Sequence, residues 1–318
     1  MEPGETQNPS GSPGNGEKPL AVVVGAGATG SRILQRLAGD DFDIRVVDRD
    51  RLEERNLRTA EIYDERMVEK DLPKAVAAAR ALEHGRMEAE VADLNPGNAE
   101  RLLGDADVVL DGTDNMETRF LVDDFCVKQG IPWVHAAALG TAGQVMPVVP
   151  GSTARFRCVF GGVEPQSLGT CDSEGIEPEA ADRAAELAVG EARKILEGEV
   201  EPGLVRFDVS RGERRLEVPR EGCDRGGDFP HLSGEEGSRA VSVCGENEYT
   251  VNPNPEEPLE LPEIAEKLEK SGKVSLNEHL LRFDSGEASF TLFPGGRAIV
   301  EAESRERARS VYSRYVGL

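Results

Sequence analysis

The stretch AVVVGAGATGSRILQRLAG, residues 21–39, decides the fold. Ala21–Val24 is an apolar run suited to a buried strand. Gly25-Ala26-Gly27-Ala28-Thr29-Gly30 follows, and then Ile33, Leu34 and Leu37 recur at helical spacing. The reading is a strand, a tight glycine turn and a helix whose N-terminus can hold a phosphate. Gly25, Gly27 and Gly30 allow the turn, close backbone approach to a phosphate, and packing of helix on strand. The next segment, residues 46–82, reads VVDRDRLEERNLRTAEIYDERMVEKDLPKAVAAARAL. It ends a strand on Asp48, where an acidic side chain meets ribose hydroxyls, and adds Asp50, Asn56 and Lys74. An NAD-dependent oxidoreductase needs the glycine turn and the acidic strand end but has no use for Asn56 and Lys74. An enzyme that handles a triphosphate does.

Working outward, residues 20–24, 44–48, 87–92, 107–111 and 131–135 read as short strands separated by helical stretches. That alternation predicts an α/β fold: a doubly wound, mostly parallel, Rossmann-like sheet. Residues 143–149, 204–209 and 214–218 add antiparallel strands. Residues 179–197 form a long amphipathic helix with Leu187, Ala188, Ala192, Ile195 and Leu196 turned inward. Residues 1–18, rich in Gly, Pro, Ser, Asn and Glu, read as a disordered tail. A nucleotide-binding domain spans 19–250. Residues 251–318 hold a linker, VNPNPEEPLELP, and a small C-terminal α+β domain with no evident catalytic residue.

Of 318 residues, 60 are acidic and 37 basic, a net charge of −23. Such acidity argues against nucleic acid and anionic membranes as partners. Only eight of the basic residues are Lys, and a Glu-rich, Lys-poor chain fits a halophile, where salt screens self-repulsion. No apolar run approaches the ~20 residues that span a bilayer, and no signal peptide is visible. Five cysteines without paired spacing fit a reducing compartment, so the expectation is a cytoplasmic protein.

These residues, with DGTDNMETR at 111–119 and GTCDSEGI at 169–176, resemble the ThiF/MoeB/HesA family, which is similar to ubiquitin-activating enzymes. The family pattern is a glycine loop, D-x-D-x-V-E-x-S-N-L-x-R-Q, P-K-A, D-x-T-D-N-x-x-T-R and T-C-x-x-x-G-V. The tail also resembles a longer subset of the family through Leu292-Phe293-Pro294-Gly295-Gly296-Arg297-Ala298-Ile299 and Tyr312-Ser313-Arg314-Tyr315-Val316-Gly317. The resemblance implies an adenylyltransferase that uses ATP and Mg²⁺. Its substrate would be the C-terminal glycine carboxylate of a small ubiquitin-like sulfur carrier ending in Gly-Gly, with sulfur brought later by a donor protein, and the enzyme would be a homodimer. Lys74 would contact the phosphates, Asn56 would help hold them, and Asp48 and Asp50 would line the nucleotide site. Asp114 would be a magnesium ligand, Asn115 would cap or contact nucleotide, and Cys171 would be the cysteine some members use for a covalent link. For Lys74 the bland alternative is a solvated helix-start residue; for Asp114 and Asn115 it is turn chemistry.

The chain departs from the pattern in places. N-L-x-R-Q reads Asn56-Leu57-Arg58-Thr59-Ala60, so Thr59 stands at the usual arginine. If the segment is extended, Arg58 faces the same side as Asn56 and can supply the charge; if it is a helical turn, Arg55 or Thr59 is nearer. The family's two C-x-x-C pairs hold a structural zinc, but here they read Arg155-Phe156-Arg157-Cys158 and Cys223-Asp224-Arg225-Gly226. With Cys158 and Cys223 as remnants, and neither His231 nor Cys244 at a supporting spacing, no zinc is expected. The family's N-terminal arginine-bearing helix is also missing. A binding or scaffold member that has lost turnover is therefore the second hypothesis. His135 reads as structural, and Trp133, Phe293 and Cys126 as core.

Overall fold

The computed structural model describes residues 18–39, 42–83, 85–162, 175–220, 223, 228–234, 248–251 and 259–317. Residues 1–17 of the expected tail at 1–18, together with Cys171, Gly226, Cys244 and most of the Pro-rich linker, lie outside the described residues. The chain divides into two compact units, residues 1–236 and 237–318.

The first unit is built on an eight-stranded sheet in the order β3-β2-β1-β4-β5-β6-β7-β8. The strands β1 (Leu20–Val24), β2 (Asp43–Val47), β3 (Met87–Glu90), β4 (Val108–Asp111) and β5 (Trp133–Leu139) run parallel. The strands β6 (Ala142–Val148), β7 (Leu204–Asp208) and β8 (Gly212–Leu216) continue it antiparallel. The expected doubly wound sheet with added antiparallel strands is what forms. Because β1 pairs with β2 on one side and β4 on the other, the strand order reverses there and a crevice opens beyond their carboxyl ends.

Helices cover both faces. On one lie α1 (Ala28–Ala38), α3 (Lys74–Leu82) and α7 (Pro178–Glu197), around Val23, Ile33, Leu34, Ile44, Ala75 and Val134. On the other lie α4 (Ala99–Leu103), α5 (Met116–Gln129) and α6 (Phe156–Phe160), around Val22, Leu102, Val109, Phe125 and Trp133. Strands buried on both faces explain why LAVVV and VVLD read as unbroken apolar runs. A short α2 (Glu65–Glu69) precedes α3, and α8 (Pro230–Ser233) lies near α5.

The long helix α7 packs differently from its sequence pattern. Its buried stripe is Ala180, Ala181, Ala184, Ala185, Ala188, Val189 and Ala192, whereas Leu196 is 38% exposed. Alanines at i, i+4 spacing let the helix approach closely, so the larger residues near its C-terminus are left at the margin. A second correction concerns the cysteines: Cys158 and Cys223 are joined as a disulfide, with Cα atoms 5.7 Å apart and a sequence separation of 65. A pairing of that separation leaves no spacing signal, which is why sequence reading put all five in a reducing pattern.

The second unit is a five-stranded antiparallel sheet, β10-β11-β12-β13-β9. Its strands are β9 (Glu248–Val251), β10 (Lys273–Leu276), β11 (Leu281–Asp284), β12 (Ser289–Leu292) and β13 (Ala298–Glu301), with helices α9 (Leu261–Leu268) and α10 (Arg305–Tyr315). β9 pairs with β13, so the strand that straddles the expected boundary at 250/251 belongs wholly to this unit. The tail motif is a packing device: Arg297 lies 3.8 Å over the Phe293 ring, and the Tyr312 hydroxyl donates to the Gly296 carbonyl at 2.8 Å.

Candidate nucleotide site

At the carboxyl end of β1 the turn is as tight as the sequence requires. Gly25 has φ +92°, and a Cβ on Gly30 would come within 1.8 Å of the Gly25 carbonyl oxygen. Gly112, in the loop after β4, is held as closely: a Cβ there would lie 2.6 Å from the Gly30 Cα. Gly27, the N-cap of α1, differs. Its chain neighbours aside, no atom of the described residues lies within 4 Å of where its Cβ would be. That open space, beside the first N–H groups of α1, is the cradle a phosphate needs.

Asp48 stands just past β2, buried at 7% exposure. One carboxylate oxygen accepts the Ala26 N–H at 2.7 Å and the other the Asp50 N–H at 2.7 Å, tying the glycine turn to the segment beyond β2. Burial pushes this carboxyl up, against the pull of Lys74. The Tyr63 hydroxyl donates to the Ala26 carbonyl at 2.7 Å, a second tie on the same turn.

Lys74 is not a solvated helix-start residue. It opens α3, its N–H donates to the Asp50 carbonyl at 2.8 Å, and its ammonium lies 3.2 Å from Asp50 Oδ2 with the side chain only 14% exposed. Burial by itself would lower its pKa, but Asp50, Asp48 and Asp114 together hold it above the ordinary value, so it is charged. A fixed cation between carboxylates at the open end of the sheet suits an incoming polyanion.

Asn56 lies in a single 3₁₀ turn, Glu54–Arg58, and its side-chain carbonyl accepts the Glu53 N–H at 2.9 Å in a capping box. The amide NH₂ remains as a donor. The segment is therefore a turn, not extended, because this local cap competes well with a strand conformation. With three residues per turn, Arg58 stands about 240° around from Asn56 rather than on its side. Arg58 is exposed; Arg55 pairs with Glu53 at 2.7 Å.

The loop after β4 holds the second group. Asn115 caps α5 by accepting the N–H groups of Glu117 and Thr118 at 2.9 and 3.3 Å. Asp114 is exposed, and its charge acts on Lys74. Behind them, the fully buried Asp111 accepts from the Thr113 N–H and hydroxyl at 2.9 and 2.6 Å. Its other oxygen meets Arg119 Nε at 3.1 Å and His135 Nδ1 at 2.9 Å. Arg119 also donates to the Thr113 carbonyl. Burial alone would raise Asp111, yet Arg119, His135 and Thr113 hold it below the usual carboxylate range. Burial lowers His135, which is thus neutral, donating from Nδ1 and facing Gln144 from Nε2 at 3.3 Å. His135 and Arg119 brace the loop that presents Asp114. Sequence reading gave Arg119 only as a motif letter and His135 as structural, because the partner that defines them is 8 and 24 residues away.

The zinc-pair positions form a different cluster. Arg155 bonds to Asp124 at 2.8 Å and to Asp123 at 3.2 Å, and both carboxylates are fully buried. Arg157 reaches His231 at 2.8 Å, and the His231 N–H donates to Asp124 at 2.9 Å. Of the Thr-Cys-x-x-x-Gly-Ile stretch only Gly175 and Ile176 are described; the Gly140 N–H donates to the Gly175 carbonyl at 3.0 Å, beside the end of β5. No group of three or more metal-type side chains lies together among the described residues.

A glycine turn, an acidic strand end and a largely enclosed lysine meet at the strand-order reversal of an α/β sheet. A family model for the ThiF family matches residues 18–224, and the chain belongs to that family. It is 34% identical over 95% of both chains to the sulfur carrier protein ThiS adenylyltransferase of Bacillus subtilis. It is 32% identical to the SAMP-activating enzyme E1 of Haloferax volcanii, over 58% of this chain and 71% of that one. Among solved structures, E. coli MccB with ATP superposes with a TM-score of 0.56 at 18% identity, over 65% of this chain and 66% of that one, which is a likeness of fold.

Proposed function

We propose that this protein is an adenylyltransferase that activates the C-terminal glycine carboxylate of a small ubiquitin-like sulfur carrier. The observation that carries the reading is the Lys74 ammonium, 14% exposed and held by Asp50 at the same end of the sheet as the glycine turn. The full-length similarity to an enzyme named for acting on ThiS supports the substrate class. A carboxylate oxygen of the carrier attacks the α-phosphorus of ATP. The bond from that phosphorus to the bridging oxygen breaks, and pyrophosphate leaves with the electron pair, giving acyl-AMP. Negative charge grows on the phosphorane and the leaving group, so positioning and charge stabilisation do the catalysis. Gly25, Gly27 and Gly30 receive the phosphates and Asp48 the ribose hydroxyls. Lys74 meets the developing charge, and the Asn56 amide donates to the phosphates. Asp114, presented by the braced loop, is the residue that would hold Mg²⁺, which would neutralise phosphate charge; an exposed carboxylate fits this hard cation, with phosphate oxygens completing its shell. Cys171 would serve a covalent sulfur link in a later step. We further propose a cytoplasmic homodimer adapted to high salt, in keeping with the −23 charge.

The test is carrier-dependent exchange of labelled pyrophosphate into ATP. Exchange that requires a carrier ending in Gly-Gly is expected. ATP binding without exchange for any such carrier points to the scaffold reading, which Thr59 at the usual arginine position favours. Tight NAD binding without ATP binding would overturn both.

A further inference from the structure

Thr59 leaves the N-L-x-R-Q turn one guanidinium short, yet a guanidinium lies directly against residue 59. Arg32 belongs to α1, and its side chain folds back toward the helix N-terminus, the direction helical side chains favour. Nη1 donates to the Ala28 carbonyl at 3.0 Å and to the Thr59 carbonyl. Ala28 is the first residue of α1, so the guanidinium is level with the helix end where the open cradle at Gly27 lies. Arg32 as a whole is 4% exposed. Its counter-ions are loose and wet: Nε is 3.5 Å from Asp182 and Nη2 3.9 Å from Glu61, carboxylates 54% and 81% exposed. Nη2 makes no hydrogen bond among the described residues. A buried, rigidly held guanidinium with unfilled donors at a helix N-terminus is matched to phosphate oxygens, which its planar fork binds in pairs. Arg58 offers the opposite: an exposed side chain, turned away from Asn56, with rotamer freedom to lose.

Resting on the adenylylation reading, we propose that Arg32 contacts the polyphosphate of ATP and replaces the arginine missing at position 59. The positive charge has moved from the turn to the neighbouring helix, and the two carbonyls at Nη1 keep it in place.

Calorimetric titration of ATP and AMP, each with Mg²⁺, tests this on wild type, Arg32→Gln, Arg32→Lys and the double variant Arg32→Gln with Thr59→Arg. Losing one charge-assisted contact to the outer phosphates should weaken ATP about 10- to 100-fold while AMP changes by no more than about twofold. Arg32→Lys should keep much of the ATP affinity, and Thr59→Arg should restore it to the Gln variant by returning the charge to the turn. Thermal unfolding of each variant checks the fold, and the Lys variant and the double variant keep the test valid if Arg32→Gln is unstable. Equal weakening of ATP and AMP would reduce Arg32 to a brace for the turn and overturn the proposal. So would unchanged ATP binding, or a double variant with no recovery. If wild type itself binds no ATP, the adenylylation reading falls; if wild type binds ATP and Arg32→Gln binds it equally well, only the Arg32 assignment falls.

Discussion

Two of the charged clusters in the molecule are built to opposite ends. At the corner of α5, α6 and α8, Asp123 and Asp124 are fully buried and meet Arg155, Arg157, the backbone N–H groups of Phe156 and His231, and each other's partners. Both carboxylates accept from donors within the cluster. At the carboxyl ends of β1 and β4, Asp48 is buried and the Lys74 and Asp50 side chains are 14% and 30% exposed, but Gly27 faces open space and Asn56 keeps an amide to donate. Burial and pairing alone therefore do not mark a site. A structural cluster pairs its charges inwardly, whereas a binding cluster holds its charges rigid and leaves capacity over for a ligand.

Removing a charge from the closed cluster should show the largest effect. Asp124→Ala leaves Arg155 buried without its shortest partner, and breaking a buried pair this way costs about 3–5 kcal/mol of stability. Urea unfolding measures it; a loss under 1 kcal/mol, on the order of a surface pair, would erase the contrast between the two regions. In the open cluster the loss should fall on activity. Lys74→Ala is expected to slow pyrophosphate exchange by about 10²–10³ and to cost less stability than Asp124→Ala, because its partner Asp50 is 30% exposed to water. A variant that instead exchanges normally and unfolds early would make Lys74 a structural ion.

The Cys158–Cys223 link sharpens the closed side further. It ties α6 to the segment leading to α8 where the zinc ligands of the family pattern would be, and its reduction should cost about 2–4 kcal/mol. Thiol titration in denaturant should find at least two more thiols after reduction than before, five in all, and elemental analysis should find no zinc. One zinc per chain with five free thiols would show that the two sulfurs are metal ligands. The smallest effect concerns His135 beneath the open site. Burial depresses its pKa from the ordinary 6.5, so the unfolded chain takes up a proton that the folded chain refuses as pH falls below that value. Stability is thus complete above about pH 6.5 and declines toward lower pH, by at most about 1.4 kcal/mol per pH unit for this one group. His135→Gln should flatten that limb of a stability–pH curve; an unchanged slope would show that His135 is not the group responsible.

The sheet and the place of its crevice could be read from residue patterns alone. LAVVV and VVL carry unbroken apolar runs because both faces are covered, and Gly25 and Gly30 are dictated by contacts no side chain could survive. Asp48, Asn56, Lys74, Asp114 and Asn115 could be singled out as candidates, since each sits at a fixed offset from a strand end or a turn. What only the tertiary structure decided is which charges meet. The 3₁₀ turn turns Arg58 away from Asn56, α1 carries Arg32 to Thr59 across 27 residues, and β5 brings His135 under Asp111. It also pairs Cys158 with Cys223 and buries the alanines of α7 in place of Leu196. Periodicity and spacing report contacts within an element or across one turn; an ion pair, a disulfide or a brace between elements is fixed by chain crossings whose separation in sequence carries no signal.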